Sequence, residues 1–133
     1  MKAILAVNNL NFIGLNGGIP WKCKEDFQHF KKLTLQSEQE QPILLAGWNT
    51  YLHLPQLKGR VVICDKRDFS IEDSKITFDW CIGGKKTYEK YCHLFTELHI
   101  SHIDDNTIGD CLFPDFTNLN KECKIINYHF KTN

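Results

Sequence analysis

Three short runs, "AILAV" at Ala3–Val7, "ILLA" at Ile43–Ala46 and "VVIC" at Val61–Cys64, are wholly apolar, and each is too short to be a buried helix. A strand with one wet face alternates apolar and polar residues. Unbroken apolar runs of this length suit strands covered on both faces, as in a parallel sheet lying between helices. Ile76–Ile82, Leu98–Ile103 and Cys123–Phe130 are further strand candidates. Helical patterns fall between them at Lys24–Leu35, Asn49–Leu54 and Lys85–Tyr91, an alternation that implies βαβ units. Asp65–Lys75 barely supplies the dozen or so residues of a parallel crossover, so a cramped link is expected there. After Pro114 the chain offers one convincing strand. The expected fold is α/β: a single domain over residues 1–133, with a mainly parallel twisted sheet flanked by helices.

The 133 residues suffice for one core and not for two. Sixteen basic and sixteen acidic side chains cancel, which removes the broad field that recruits nucleic acid or an anionic membrane. No apolar run approaches transmembrane length, and polar residues follow the opening MKAILAV too soon for a secretory signal. Six cysteines without a CxxC pair read as reduced thiols, so a cytoplasmic setting is expected. His99 and His102, and the adjacent Cys92 and His93, raise the question of a metal. Their placement in a strand and at a helix end favours ordinary histidines, and no metal site is expected.

The stretch "IGLNGGIPWKCKEDFQHFKKLT", Ile13–Thr34, holds the first chemistry. Gly14, Gly17 and Gly18 let a ligand lie close to the main chain, although three glycines alone also describe a surface turn. Asp26, Phe30 and Leu33 stand at i, i+4 and i+7, which puts a carboxylate in an apolar helix stripe. Asp26 either complements the helix N-terminus, a role Glu25 can fill, or forms the floor of a ligand cavity. In a cavity its pKa would rise, suiting it to proton transfer near neutrality. Farther along, Ile82-Gly83-Gly84 ends one candidate strand and opens a helix. That arrangement serves either a tight turn or a phosphate.

Taken in order, these pieces resemble the dihydrofolate reductase family. The matching residues are Ile13-Gly14, Ile19-Pro20-Trp21, Asp26, Phe30-Lys31 and Thr34, then Gly47 with Thr50-Tyr51, and then Leu57 with Gly59-Arg60. Ile82-Gly83-Gly84 with Tyr88, "LHISHID" at Leu98–Asp104, Gly109-Asp110 and Phe113-Pro114-Asp115 complete the series. The resemblance implies reduction of dihydrofolate by NADPH, hydride going to pterin C6 and a proton to N5. It implies that Asp26 holds the pterin and promotes protonation, with Ser101 supporting it and Trp21 closing over the rings. Carbonyls of Leu5 and Ile82 would meet the pterin amino group. Ala6, Phe27, Phe30, Leu54 and Leu57 would supply walls, and Arg60 would grip the glutamate carboxylate. On the bottom-up reading alone, Trp21 is equally a core anchor and Arg60 an exposed charge.

For the cofactor the resemblance implies Ala6, Ile13, Gly17, Gly18 and Ile19 on the nicotinamide side. Gly47, Trp48, Asn49, Thr50, Gly83, Gly84, Lys85, Lys86 and Thr87 would surround the phosphates and adenosine. Two departures stand out. Trp48 occupies the place of an arginine that meets the 2′-phosphate, and Lys58 replaces a proline. Asp65, with Lys66 and Arg67 after it, ends a strand where an acid can take a ribose hydroxyl. NADPH is therefore expected, with NADH kept open. The short chain resembles compact forms carried by phages or other mobile elements. Dihydrofolate and antifolate-type small molecules are the expected partners, and a monomer is expected. The rival readings are a non-catalytic binding or structural protein of the same fold and a reductase of riboflavin precursors.

Overall fold

The computed structural model describes residues 1–132. Its main sheet has the order β4-β3-β5-β1-β6-β8, formed by β1 (Lys2–Asn8), β3 (Ile43–Ala46), β4 (Val61–Cys64), β5 (Trp80–Cys81), β6 (Glu97–Asp104) and β8 (Lys124–Lys131). Every pairing in this sheet is parallel. The three all-apolar runs that pointed to a two-sided sheet lie in or form β1, β3 and β4. Helix α1 (Lys24–Thr34) lies on one side; α2 (Trp48–His53), a one-turn α3 (Ile71–Ser74) and α4 (Lys85–Tyr91) make the other connections.

The two sheet faces divide the core by the period of two along each strand. On β1, Ala3, Leu5 and Val7 turn toward Phe95, Tyr91 and Leu98, whereas Ile4 packs with Leu44 and Trp80 against Phe30, Leu33, Leu54 and Leu57. Each fully buried large side chain, such as Phe95 or Trp80, contributes about 1.5–3 kcal/mol through removal from water. Helix α1 carries Glu25 and Asp26 in its first turn and Lys31 and Lys32 in its last, the charge order its dipole favours. The Thr34 hydroxyl donates to the Phe30 carbonyl at 2.7 Å as the helix ends.

Several expectations are sharpened. The strand expected over Ile76–Ile82 is laddered only at Trp80–Cys81. Lys75 leaves α3 in the left-handed region (φ 56°), and the chain then drops Phe78 edge-on against Phe69 before it joins the sheet. The cramped link before it is real: α3 is four residues long, capped by the Ser70 hydroxyl accepting from the Asp73 amide. The C-terminal segment forms one strand, β8, in parallel register with all of β6. A small second sheet, β2 (Phe12–Gly14) with β7 (Cys111–Leu112), has no counterpart in the apolar pattern because both strands are short and half-exposed.

Candidate active site

A cavity of about 1080 Å³ opens between α1, α2 and the carboxyl ends of β1 and β5. Ligands of open α/β sheets bind outside strand carboxyl ends, where the backbone diverges into loops. The cavity is lined mainly by apolar side chains and main chain, with Asp26 and Arg60 among its few charges.

Asp26 lies in the first turn of α1 and is only 7% exposed. Burial pushes its carboxyl above the ordinary value, and the Ser101 hydroxyl opposes that shift. Ser101, 1% exposed on β6, has no partner of full hydrogen-bond geometry among the described residues. Its oxygen stands close enough to Asp26 to stabilise the charged carboxylate. The pair is thus a carboxyl whose proton is held more tightly than in water, in a largely apolar pocket, the direction that proton donation requires.

Trp21 is both a wall of the cavity and a core residue, packed with Cys23 and Ile103. Phe27, half exposed at 50%, faces Phe30, Leu54, Leu57 and Ile82 around the same space. At the mouth, Arg60 donates from Nη1 to the Thr34 hydroxyl at 2.9 Å and from Nε to the Lys58 carbonyl at 3.1 Å. These contacts fix the guanidinium while leaving donors for a carboxylate.

The expected Leu5 carbonyl is displaced by one residue. Tyr88 Oη donates to the Ile4 carbonyl at 2.5 Å, so Ile4, not Leu5, turns its carbonyl to the β5 side of β1. Successive carbonyls along a strand point to opposite neighbours, and the one from Leu5 belongs to the β6 ladder. Full burial holds the Tyr88 phenol well above its usual pKa, which keeps it a donor.

Ala6, Ile13, Gly17, Gly18, Ile19, Thr50, Gly83 and Gly84 line the same cavity. Beside it, the two glycine turns at the ends of β3 and β5 touch: the Gly47 amide donates to the Gly83 carbonyl at 2.6 Å. A Cβ on Gly47 would fall 2.4 Å from Thr87 Oγ1, so only glycine lets the start of α2 approach α4 this closely. The amides opening both helices thereby gather at one edge of the cavity, the arrangement that receives phosphate. Lys85, Lys86 and Thr87 open α4, and Trp48 and Asn49 open α2, outside the cavity proper.

Asp65 departs from expectation. Its carboxylate accepts from Tyr91 Oη at 2.8 Å and pairs with Lys90 Nζ at 3.2 Å. It is engaged in tying β4 to α4, a structural role that the sequence did not show. Lys66 and Arg67 beside it are exposed. Trp48, which stands where the resembled pattern has an arginine, is 55% exposed.

The histidine pairs raised by the sequence separate. His99 is bonded to Tyr128 and Glu97, whereas His102, three residues along the same strand, meets Asn127. Among the described residues no cluster of three or more His, Cys, Asp or Glu side chains could hold a metal, and no helix is long and apolar enough to cross a membrane.

Comparison with known families decides what this geometry belongs to. Residues 1–131 match the family described as dihydrofolate reductase. The chain belongs to the dihydrofolate reductase family. The dihydrofolate reductase of Buchnera aphidicola subsp. Schizaphis graminum is 33% identical, over 93% of this chain and 82% of the relative. Dihydrofolate reductase type 9 of Escherichia coli is 27% identical over 83% of this chain and 73% of its own. A solved dihydrofolate reductase from Enterococcus faecalis, complexed with NADP(H) and RAB-propyl, shares the fold. Its TM-score is 0.70 at 22% identity, over 86% of this chain and 76% of that one.

Within this reductase scaffold, sequence reasoning missed Ile4, His53, Lys22, Lys24 and Lys31, all of which line the cavity. Alternation along β1 separates Ile4 from Leu5, but only the Tyr88 contact shows which of the two turns its carbonyl toward β5. His53 carries no motif signal: only the three-dimensional approach of α2 to the glycine loop brings it in.

Proposed function

We propose that the protein reduces 7,8-dihydrofolate to 5,6,7,8-tetrahydrofolate at this cavity with NADPH. The observation that carries the reading is the pairing of a buried carboxyl, Asp26, with a fixed guanidinium, Arg60, at opposite polar ends of one apolar cleft. That spacing of chemistry suits a substrate with a hydrogen-bonding bicyclic head, an apolar middle and a carboxylate tail. Asp26 accepts from the pterin amino and ring N–H groups as a bidentate acceptor, and the Ile4 and Ile82 carbonyls take the remaining amino hydrogen bonds. Phe27, Phe30, Leu54 and Leu57 hold the rings in a dry slot, and Arg60 takes the α-carboxylate.

The residues present fit a dinucleotide. Gly17, Gly18, Gly83 and Gly84 leave room at the cavity wall, and the close Gly47–Gly83 contact gathers helix-opening amides for the pyrophosphate. Bound NADPH supplies the hydride that pterin C6 receives. The chain's own part is to align the ring, exclude water with Trp21 and Ile13, and maintain the proton supply to N5. Asp26 does the last through water, its raised pKa keeping the acid form available. Trp48 would offer its exposed ring to the adenine, while the exposed Lys66 and Arg67 would supply positive charge for a 2′-phosphate. Antifolate-type molecules compete for the same carboxylate. Six free thiols suit a reducing cytoplasm.

Tracing with NADPH deuterated at the transferable position tests the reaction. Deuterium should appear at C6 of tetrahydrofolate. Label-free product, or reduction elsewhere on the ring, would refute the assignment.

A further inference from the structure

The wall of the cavity nearest the glycine loop is closed by a contact between two elements that share no sequence motif. Leu15–Gly18 is a two-residue hairpin turn: Leu15 and Gly18 exchange both backbone hydrogen bonds, at 3.0 and 2.9 Å, around Asn16 (φ 51°) and Gly17 (φ 83°). Positive φ at both central residues is the mark of the tightest hairpins. The turn is tied down on one side, because the amide of Asn16, its first central residue, donates to Asp110 Oδ2 at 2.9 Å and the Asp110 amide donates to the Gly14 carbonyl before it at 2.9 Å. Among the described residues no backbone hydrogen bond ties the tip, Gly17, the second central residue, across the cavity.

His53, the last residue of α2, meets that tip from the opposite wall. A Cβ on Gly17 would stand 2.5 Å from His53 Cε1, 2.7 Å from Nδ1 and 3.0 Å from Nε2. The imidazole therefore lies flush on the Gly17 backbone, in space that any side chain there would fill. The ring is itself aimed: Nδ1 lies 2.7 Å from the Asn49 carbonyl one turn earlier, so in the neutral ring Nδ1 carries the proton and Nε2 is left as an acceptor at the cavity edge. Gly17, Gly18, His53 and Thr50 line one continuous stretch of the wall.

We propose that His53 is a positioning residue that clasps the tip of the glycine turn against α2 and so sets the closed state of the nicotinamide side of the cavity. The proposal rests on the reductase reading for its catalytic consequence. The clasp itself is a property of the free protein. Asn49 orients the ring, the ring fixes Gly17, and the turn passes that position to Ile19 and Trp21 along the chain. Losing the clasp weakens binding that is equal in ground and transition states, which raises KM and leaves kcat in place. Because His53 and Gly17 touch, substitutions at the two positions should not act independently.

The test is a double-substitution cycle with an independent readout of the turn. In His53→Ala, the Gly18 amide should exchange with solvent about tenfold faster than in the wild type, while core amides of β1 and β6 are unchanged. Its KM for NADPH should rise about fivefold with kcat within about twofold. Gly17→Ala should lower kcat/KM about thirtyfold in the wild type but only about threefold in His53→Ala. Removing the ring relieves the clash and leaves only the unfavourable φ. An unchanged Gly18 amide, or the same fold-loss from Gly17→Ala in both backgrounds, would overturn the clasp. Wild-type turnover is the separate control: its absence would sink the reductase reading, and the amide exchange would still report on the clasp.

Discussion

Replacing Asp26 with asparagine separates its two roles, because the variant keeps the shape and removes the charge and the proton. General-acid assistance is worth about 10²–10⁴-fold. A proton passed through water from a half-turn inside the cavity wall belongs to the lower part of that range. The expected loss in kcat at pH 7 is therefore about 10²–10³-fold, or about 3–4 kcal/mol of barrier. Binding suffers less. Trading a charge-assisted bidentate contact for neutral hydrogen bonds loses about 1–1.5 kcal/mol, which raises KM for dihydrofolate about tenfold. Once pH falls below the raised pKa of Asp26 the wild-type rate levels off. Protonation of the substrate in solution goes on substituting for the missing acid in the variant, so the deficit should shrink by about tenfold per pH unit in that range.

Stability should move the other way. The folded-state pKa of Asp26 lies above its ordinary value of 3.8, with burial the leading cause. The folded protein then holds the proton more tightly than the unfolded chain. Stability falls as pH rises from the ordinary carboxylate range through the raised folded pKa. Asp26→Asn removes that slope and should melt at or above the wild type at neutral pH. The assays are NADPH absorbance under steady-state and single-turnover conditions from pH 5 to 8, with thermal unfolding in the same buffers. Neutral-pH activity within a factor of three of the wild type, or a deficit that stays constant on acidification, would refute the proton-supply role.

Arg60→Lys should raise KM for dihydrofolate about tenfold while leaving KM for NADPH unchanged, because a point charge cannot reproduce the fork that Thr34 and Lys58 hold in place; equal effects on both would place Arg60 outside the substrate site. Asp65→Asn should leave the ratio of NADPH to NADH activity within about twofold and lower the melting temperature, since the carboxylate is bound to Tyr91 and Lys90. A strong shift in that ratio would return Asp65 to the cofactor site. Glu97 is held below its ordinary carboxyl value chiefly by the His99 hydrogen bond. Its stabilisation is present above pH 4.5 and is lost as pH falls through the lowered folded value, so Glu97→Gln should flatten the acid limb of an unfolding curve followed by tryptophan fluorescence.

What could be read from the chain follows from how local each signal is. The parallel sheet was legible because β1, β3 and β4 lie in or match unbroken apolar runs, a pattern that burial on both faces demands. Helix α1 was legible with Asp26 on its inner face because i, i+4 and i+7 spacing is geometry. The site residues on the two glycine turns were legible only as members of an ordered set resembling a family, since each turn alone has ordinary explanations.

The rest depended on contacts between distant segments. Asp65 resembled a ribose-binding acid until Tyr91 and Lys90 from α4 were seen to occupy it. The small β2–β7 sheet has strands too short and too exposed to leave a periodic signature. Ile4 was misassigned to its neighbour because a carbonyl's direction depends on strand register, which Tyr88 reveals. The part-buried Glu97–His99–Tyr128 chain likewise joins β6 to β8 and could not be inferred from either strand alone.

The most direct test of the central claim is consumption of NADPH by the purified, folded protein with and without dihydrofolate, run in parallel with NADH. Oxidation of NADPH that requires dihydrofolate and forms tetrahydrofolate is the expected result. A folded chain that turns over neither nucleotide in the presence of dihydrofolate would contradict it.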